Sequence, residues 1–172
     1  MVQHVKNSAI PLWSVNRVIR RRDAIGTAAL VVLSLTASGA GWHVADAAGN
    51  GRAVVRVAKK YKGARYKSGG ASPKGFDCSG FTWYVYKKVT GKDITRGVEE
   101  QWKHGRSVGR GKWRPGDLVF FENTFERGLS HVGIFISGDD FIHAENEKTG
   151  VVISSLNSDY YNKHYAGARR LL

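Results

Sequence analysis

The residues best suited to covalent chemistry in this 172-residue chain are its single cysteine, Cys78, and two of its six histidines, His131 and His143. A thiolate attacks acyl carbons, and an imidazole can take the thiol proton and later return it to a leaving amine. A second imidazole can hold the first in one tautomer, as the third member of a catalytic triad does. The three side chains therefore predict a nucleophile, a general base and an orienting residue.

Each of these residues also has a plain structural explanation. A lone cysteine on an apolar helix face commonly serves as core packing. A histidine at the end of a strand is often only a partly exposed polar group. One Cys and two His could instead bind zinc, although no pair has the close spacing of metal-binding motifs. We therefore expect no metal and no other cofactor, and a single cysteine excludes an intramolecular disulfide.

Helices must position the cysteine. Apolar residues at helical spacing predict a first helix over residues 51–62. Asp77 is the expected N-cap of a second helix that runs to about residue 89, and a shorter helical segment is expected over residues 98–103. Cys78 then lies on the buried face at the N-terminus of the second helix. The helix dipole and the free N–H groups there are expected to lower the pKa of its thiol.

Strands must position the histidines. Four short runs rich in β-branched and aromatic residues span residues 117–121, 131–136, 141–144 and 151–155. Turns that contain Gly and Asp separate them. Helices first and strands second predict an α+β domain in which the N-terminal helices pack on a small, meandering antiparallel sheet.

The spacing of the two histidines tests whether their side chains can meet. They are twelve residues apart and lie on successive predicted strands. A two-residue turn at Gly138-Asp139 would pair His143 with Ile134 and point the two imidazoles to opposite faces of the sheet. A triad therefore requires an odd-length loop or a β-bulge between these strands, and we predict one.

The N-terminal segment differs from the rest of the chain. Arginines at residues 17–22 precede an uncharged, mostly apolar stretch at residues 24–40, and the small residues Ala45-Asp46-Ala47 follow. This order is typical of a secretory signal peptide. We therefore predict an export signal over residues 1–47 and a folded domain over residues 48–172 that acts in the periplasm or outside the cell. The apolar stretch is weak for a membrane anchor, so the protein would contact a membrane only if the signal were retained.

The charge balance predicts the kind of partner. The chain has 27 basic and 14 acidic side chains and a net charge of +13, of which residues 48–172 keep +10. Such a field favours anionic partners, and export favours an anionic cell-wall polymer over nucleic acid. The excess of lysine and arginine could equally serve solubility alone. A hydrophobic content of 42% excludes wholesale disorder, and we expect a monomer.

Four motifs follow one another along the chain: Asp77-Cys78-Ser79-Gly80, Arg114-Pro115-Gly116-Asp117, Ser130-His131-Val132-Gly133 and Phe141-Ile142-His143-Ala144. Together they resemble the NlpC/p60 family of cell-wall cysteine peptidases, and the likeness extends over about residues 53–170. The resemblance implies a papain-like α+β fold and an NlpC/p60 catalytic domain over residues 48–172. It also implies an endopeptidase that cleaves peptidoglycan stem peptides, commonly between γ-D-glutamate and a diamino acid.

The resemblance further implies the role of each site residue. Cys78 corresponds to the nucleophile, His131 to its base and His143 to the third polar residue, while the backbone N–H of Cys78 would meet the oxyanion. Some family members hold a free L-alanine amine with three further residues, whose counterparts here are Tyr66, Asp77 and Ser79. Asp77 could also do no more than cap its helix.

The chain departs from the family pattern in two respects, and two other functions remain as alternatives. Ile94-Thr95-Arg96 stands where many relatives carry Leu-Pro-Arg, and from the 172 residues given we expect no separate wall-binding module. A related amidase or acyltransferase would use the same triad to pass the acyl group to an acceptor other than water. A non-catalytic basic cell-wall-binding protein could retain the same fold.

Overall fold

A computed structural model describes residues 40–172 of the chain, with side chains from residue 49 onward. Most of the predicted export signal therefore lies outside the described residues. The first helix continues across residue 47, so the domain boundary stays a prediction. None of the helices within residues 40–172 combines the length and the apolar character that a membrane crossing requires.

The described chain forms four helices and eight strands. In chain order they are α1 (Ala40–Lys59), β1 (Ala71–Ser72), β2 (Gly75–Phe76), α2 (Cys78–Thr90), α3 (Val98–Trp102), β3 (Arg106–Val108), β4 (Leu118–Glu122), β5 (Leu129–Ser137), β6 (Asp140–Ala144), β7 (Val151–Ser155), α4 (Asp159–His164) and β8 (Tyr165–Arg170).

Six of the strands form one antiparallel sheet in the order β3-β8-β4-β5-β6-β7. The predicted meander of four strands is confirmed as β4 to β7. Strands β3 and β8 were not predicted, and β8 follows all the others in sequence but lies between β3 and β4. Strands β1 and β2 form a separate two-stranded hairpin just before α2.

Both faces of the sheet are buried, because residues of β4 alternate between two cores. Leu118 and Phe120 belong to the core beneath α1 and α2, whereas Val119 and Phe121 belong to a core on the opposite face. Tyr161 of α4 contributes to this second core. The sequence of β4 is therefore a continuous apolar run, Leu-Val-Phe-Phe, rather than an alternating one.

Helix α2 begins and ends where the sequence predicts. Asp77 has an extended backbone, and its Oδ1 accepts a hydrogen bond from the N–H of Gly80 at 2.6 Å. Gly91 adopts the left-handed conformation, with φ of 72°, and its N–H bonds to the carbonyl of Lys87. The two caps satisfy backbone groups that a helix leaves free at its ends.

Helix α1 differs from the prediction of residues 51–62, since it begins at Ala40 and ends at Lys59. Gly51 does not interrupt it. A Cβ atom at this position would lie only 2.2 Å from the carbonyl oxygen of Pro115. The glycine therefore permits a close approach between α1 and the turn before β4.

The hairpin of β5 and β6 contains the predicted β-bulge. Ile134 pairs with Ile142 and Phe135 with Phe141, but Ser137 then pairs with Asp140, so Ile136 is a surplus residue in β5. The bulge moves the pairing by one residue relative to a regular two-residue turn. Side chains at positions 131 and 143 consequently point to the same face of the sheet.

A buried ion pair joins the last strand to the start of β4. The Arg170 guanidinium donates to Asp117 through Nε at 2.8 Å and through Nη2 at 2.6 Å. The carboxylate also accepts the backbone N–H of Arg114 at 2.8 Å. The Asp117 side chain is only 3% exposed and that of Arg170 9%, so the pair holds β8 against β4 in a site that excludes most water.

Candidate active site

The N-terminus of α2 directs backbone N–H groups at the sulfur of Cys78. Asp77 takes up the Gly80 N–H through its side chain and the Phe81 N–H through its carbonyl. The N–H groups of Cys78 and Ser79 are thus left free at the helix end, and together with the N–H of Val132 in β5 they act to lower the pKa of the thiol. This cluster of donors favours negative charge on the sulfur or on an oxygen bound beside it.

Glycine at position 80 lets the start of α2 approach the preceding hairpin. The backbone N–H of Asp77 donates to the carbonyl of Gly70 at 2.9 Å. A Cβ atom at Gly80 would lie 2.0 Å from that same carbonyl oxygen. The glycine of the Asp-Cys-Ser-Gly motif is therefore required by packing.

The thiol and the imidazole are both neutral in the free protein, contrary to the sequence-based expectation. Burial, and then the charge of Asp77, raise the pKa of Cys78 to about 12, although three backbone N–H groups act in the opposite direction. Burial lowers the pKa of His131 to about 4, with Glu145 acting against it. The expected lowering of the thiol pKa is therefore wrong, because removal of the charged sulfur from water raises the pKa by more than the helix N-terminus lowers it.

The two predicted histidines meet on the sheet face that carries the second core, where their rings pack against Phe121, Phe141 and Tyr161. Nε2 of His131 lies 2.7 Å from Nδ1 of His143. Both rings are buried, and burial together with the neighbouring His131 lowers the pKa of His143. Gly133 makes room for the contact, since a Cβ atom there would lie 3.1 Å from the Cβ of His143 and 2.6 Å from the ring of Phe141.

Hydrogen-bonding side chains continue beyond His143. The Ser154 hydroxyl lies 3.0 Å from Nε2 of His143, and the Tyr161 hydroxyl donates to Glu145 Oε1 at 2.9 Å. A proton on Nε2 of His143, donated to Ser154, makes Nδ1 of His143 the acceptor for the Nε2–H of His131. In that tautomer Nδ1 of His131 carries no proton and can act as a base.

Ser154, Tyr161 and Glu145 were missed by the sequence analysis. Tyr161 reaches the site from α4, which has six residues and was not predicted. The one available signal was the position of Glu145, directly after the Phe-Ile-His-Ala strand.

The three predicted substrate-binding residues lie together beside the cysteine. Burial, followed by the nearby Cys78 and Asp77, raises the pKa of the half-buried Tyr66. The Ser79 hydroxyl donates to Asp77 Oδ1 at 3.2 Å. Asp77 Oδ2 lies 3.8 Å from an Arg96 guanidinium nitrogen. One carboxylate oxygen of Asp77 thus serves the helix cap, and the other faces outward beside a cation.

Residues 94–96, which depart from the family pattern, are linked by hydrogen bonds to the start of α2 and to the hairpin segment before it. Arg96 donates to the carbonyl of Gly69 at 2.6 Å. The amide of Gln101, which is fully buried, donates to the carbonyls of Ser79 at 2.8 Å and Thr95 at 3.0 Å. These bonds position the wall of the site next to the cysteine.

Among the side chains that the structure describes, from residue 49 onward, no group of three or more His, Cys, Asp or Glu is arranged to hold a metal ion. Both ring nitrogens of His143 already contact other side chains of the site.

The ionisation states lead to a prediction for the reactivity of Cys78. We expect its alkylation by iodoacetamide to accelerate continuously with pH from 5 to 9, because the thiolate forms only near a pKa of about 12. Mass spectrometry can follow the reaction without ambiguity, since the chain has a single cysteine. The urea-unfolded protein is the control, and its rate should level off above a pKa of about 8.5. A fast rate that does not change between pH 5 and 7 would contradict the prediction and indicate a preformed thiolate–imidazolium pair.

Residues 63–170 match the NlpC/P60 family. Over 118 residues the chain is 42% identical to the gamma-DL-glutamyl hydrolase of Bacillus subtilis strain 168, covering 68% of this chain and 28% of that protein. Over 112 residues it is 44% identical to the murein DD-endopeptidase MepS/murein LD-carboxypeptidase of Escherichia coli K12, covering 65% of this chain and 58% of that protein. The chain thus spans less than two thirds of the length of either relative.

Solved structures show the same fold. An NlpC/P60 family protein from Bacillus cereus ATCC 10987 matches with a TM-score of 0.67 and 35% identity, over 71% of this chain and 40% of that one. The NlpC/p60 domain of the peptidoglycan hydrolase SagA matches with a TM-score of 0.62 and 37% identity, over 69% of this chain and 97% of that one. The predicted α+β architecture is confirmed. This chain belongs to the NlpC/P60 family.

Proposed function

We propose that this protein is a peptidoglycan hydrolase, a cysteine endopeptidase that cleaves stem peptides between γ-D-glutamate and a diamino acid. The similar proteins are named for γ-DL-glutamyl and murein peptide bonds. The observation that carries the proposal is the position of the Cys78 sulfur. It lies at the N-terminus of α2, where its own backbone N–H, that of Ser79 and that of the residue following His131 all act to lower the pKa of the thiol.

In the proposed reaction, Nδ1 of His131 accepts the thiol proton as the Cys78 sulfur attacks the carbonyl carbon. The backbone N–H groups of Cys78 and Ser79 stabilise the oxygen that becomes negative. The imidazolium then gives its proton to the leaving amine as the C–N bond breaks. His131 next activates the water that hydrolyses the thioester, and His143 keeps its ring in the productive tautomer.

Digestion of purified sacculi tests the proposal. The wild-type protein is expected to release new fragments in which a free carboxylate on glutamate and a free amine on the diamino acid appear together, as judged by mass spectrometry. The Cys78→Ala variant should release none. Transfer of the acyl group to an added amine would favour the amidase or acyltransferase alternative. Binding without new fragments from either protein would favour a non-catalytic wall-binding protein.

The proposed amine-binding role of Asp77 can be separated from its capping role. Asp77→Asn keeps an oxygen for the Gly80 N–H but removes the charge. If the carboxylate holds the free L-alanine amine, KM for a stem peptide with a free N-terminus should rise about tenfold. The same peptide with an acetylated N-terminus is the control and should show no such increase. If the wild type and the variant had the same KM for each of the two peptides, Asp77 would serve only as the helix cap.

We further propose that residues 1–47 direct export and that the positive charge of residues 48–172 attracts the domain to anionic cell-wall polymers. Binding of the Cys78→Ala variant to sacculi should then weaken steeply as the salt concentration rises from about 0.02 to 0.5 M, because salt screens exposed charges. Sacculi stripped of anionic polymer serve as the control. Binding that does not depend on salt would contradict this proposal.

A further inference from the structure

A cleft of about 410 Å³ opens beside His131. Its walls come from the β4–β5 loop, the end of β6 and helix α4. The lining residues are Thr124, Phe125, His131, Glu145, Asn146, Tyr160 and Tyr161. Tyr66, Asp77 and Ser79 are not among them.

The cleft is where the leaving half of a substrate would lie. The acyl half is proposed to bind near Tyr66, next to Cys78. The leaving amine must come within hydrogen-bonding distance of His131, because this residue returns the proton. A substrate peptide that extends beyond His131 therefore enters this cleft, because His131 is one of its lining residues.

The acidic side chain that lines the cleft indicates the charge of the ligand. Glu145 is the one acidic side chain in the lining, and no lysine or arginine lines the cleft. Glu145 Oε1 accepts the Tyr161 hydroxyl, whereas Oε2 has no hydrogen bond or ion pair to any residue in the described part of the chain. The protein as a whole has a net charge of +13, so a cleft whose one acidic group is a carboxylate is an unusual place on its surface that favours a cation.

The aromatic walls fit the same ligand. Phe125 is 66% exposed and Tyr160 49% exposed, and they are the large hydrophobic side chains that the described residues leave open to solvent. Both line the cleft. Aromatic faces beside a carboxylate suit an alkyl chain that ends in an ammonium group.

We infer that this cleft binds the diamino acid on the leaving side of the scissile bond, with Glu145 as the counterion of its distal ammonium group. The inference rests on the proposed function and adds a selectivity to it. A distal amine that is acylated in a cross-link carries no charge. The protein should therefore prefer stem peptides whose distal amine is free.

Two synthetic tripeptides test the inference, L-Ala-γ-D-Glu-L-Lys and the same peptide with an acetylated lysine side chain. Wild-type kcat/KM is expected to be about tenfold higher for the free amine. Glu145→Gln should bring this ratio close to one while keeping an acceptor for Tyr161. Glu147→Gln, which removes the same charge from an exposed residue outside the lining, is the matched control and should keep the ratio.

Each outcome separates the inference from the proposed function. Hydrolysis of both peptides at equal rates by the wild type would overturn the inference and leave the proposed function standing. So would a ratio that Glu145→Gln does not change, whatever the loss of overall rate, once circular dichroism shows that the variant is folded. Hydrolysis of neither peptide would overturn the proposed function and the inference with it.

Discussion

Replacing His131 by glutamine is expected to lower kcat/KM on a stem-peptide substrate by about 10³- to 10⁴-fold. The reason is the pKa of Cys78, which burial and Asp77 raise to about 12. Without a base beside it, the thiol would be ionised in only about one molecule in 10⁵ at pH 7. The loss should fall on kcat, because His131 acts on the reacting atoms rather than on substrate affinity.

The pH dependence distinguishes this role from a structural one. Since burial lowers the pKa of His131 to about 4, wild-type kcat/KM should fall as the pH drops through 4, where the base becomes protonated. The residual activity of His131→Gln should lack that acid limb and rise with pH as thiolate forms. His143→Asn keeps a hydrogen-bond acceptor for His131 and should lose far less activity. A His131→Gln variant within tenfold of the wild type would contradict the assignment.

The second large effect concerns stability. Asp117→Asn is expected to lower the free energy of unfolding by about 3–5 kcal/mol, because it leaves the guanidinium of Arg170 buried without its counterion. The pair joins β8 to β4 through two charge-assisted hydrogen bonds of 2.8 and 2.6 Å. Urea unfolding followed by circular dichroism measures the change.

A double variant supplies the control for this prediction. Asp117→Asn combined with Arg170→Met removes both charges, so no unpaired cation remains in the core. We expect it to recover at least half of the stability lost by the single variant. A single variant that loses less than about 1 kcal/mol would show that water reaches Arg170 and that the pair contributes little.

Short-range patterns in the sequence were sufficient to predict the helix and the strands that carry the nucleophile and the histidines. Asp77 and Gly91 bracket α2 because capping depends on side chains within a few residues of the helix end. The bulge near Ile136 followed from residue counting alone, given that both histidines had to reach one face. These features depend on short-range geometry, which a sequence displays directly.

The features that were missed depend on contacts between distant parts of the chain. Strand β8 pairs with β3 and β4, more than forty residues earlier, and its sequence Tyr-Ala-Gly-Ala-Arg-Arg lacks the pattern of a buried strand. Tyr161 joins the histidines only because α4 packs on the second core. The thiol pKa was also predicted wrongly, since burial is a property of the folded domain and not of the helix terminus.

The surplus residue in the β5–β6 hairpin limits how the length of this segment can change in evolution. Loss of Ile136 would shorten β5 by one residue, yet His143 would still lie opposite Gly133, because the pairs before the bulge do not involve Ile136. Loss of Val132 would instead turn His131 away from His143. Homologous chains should therefore tolerate single deletions at the bulge and exclude them between His131 and Ile134.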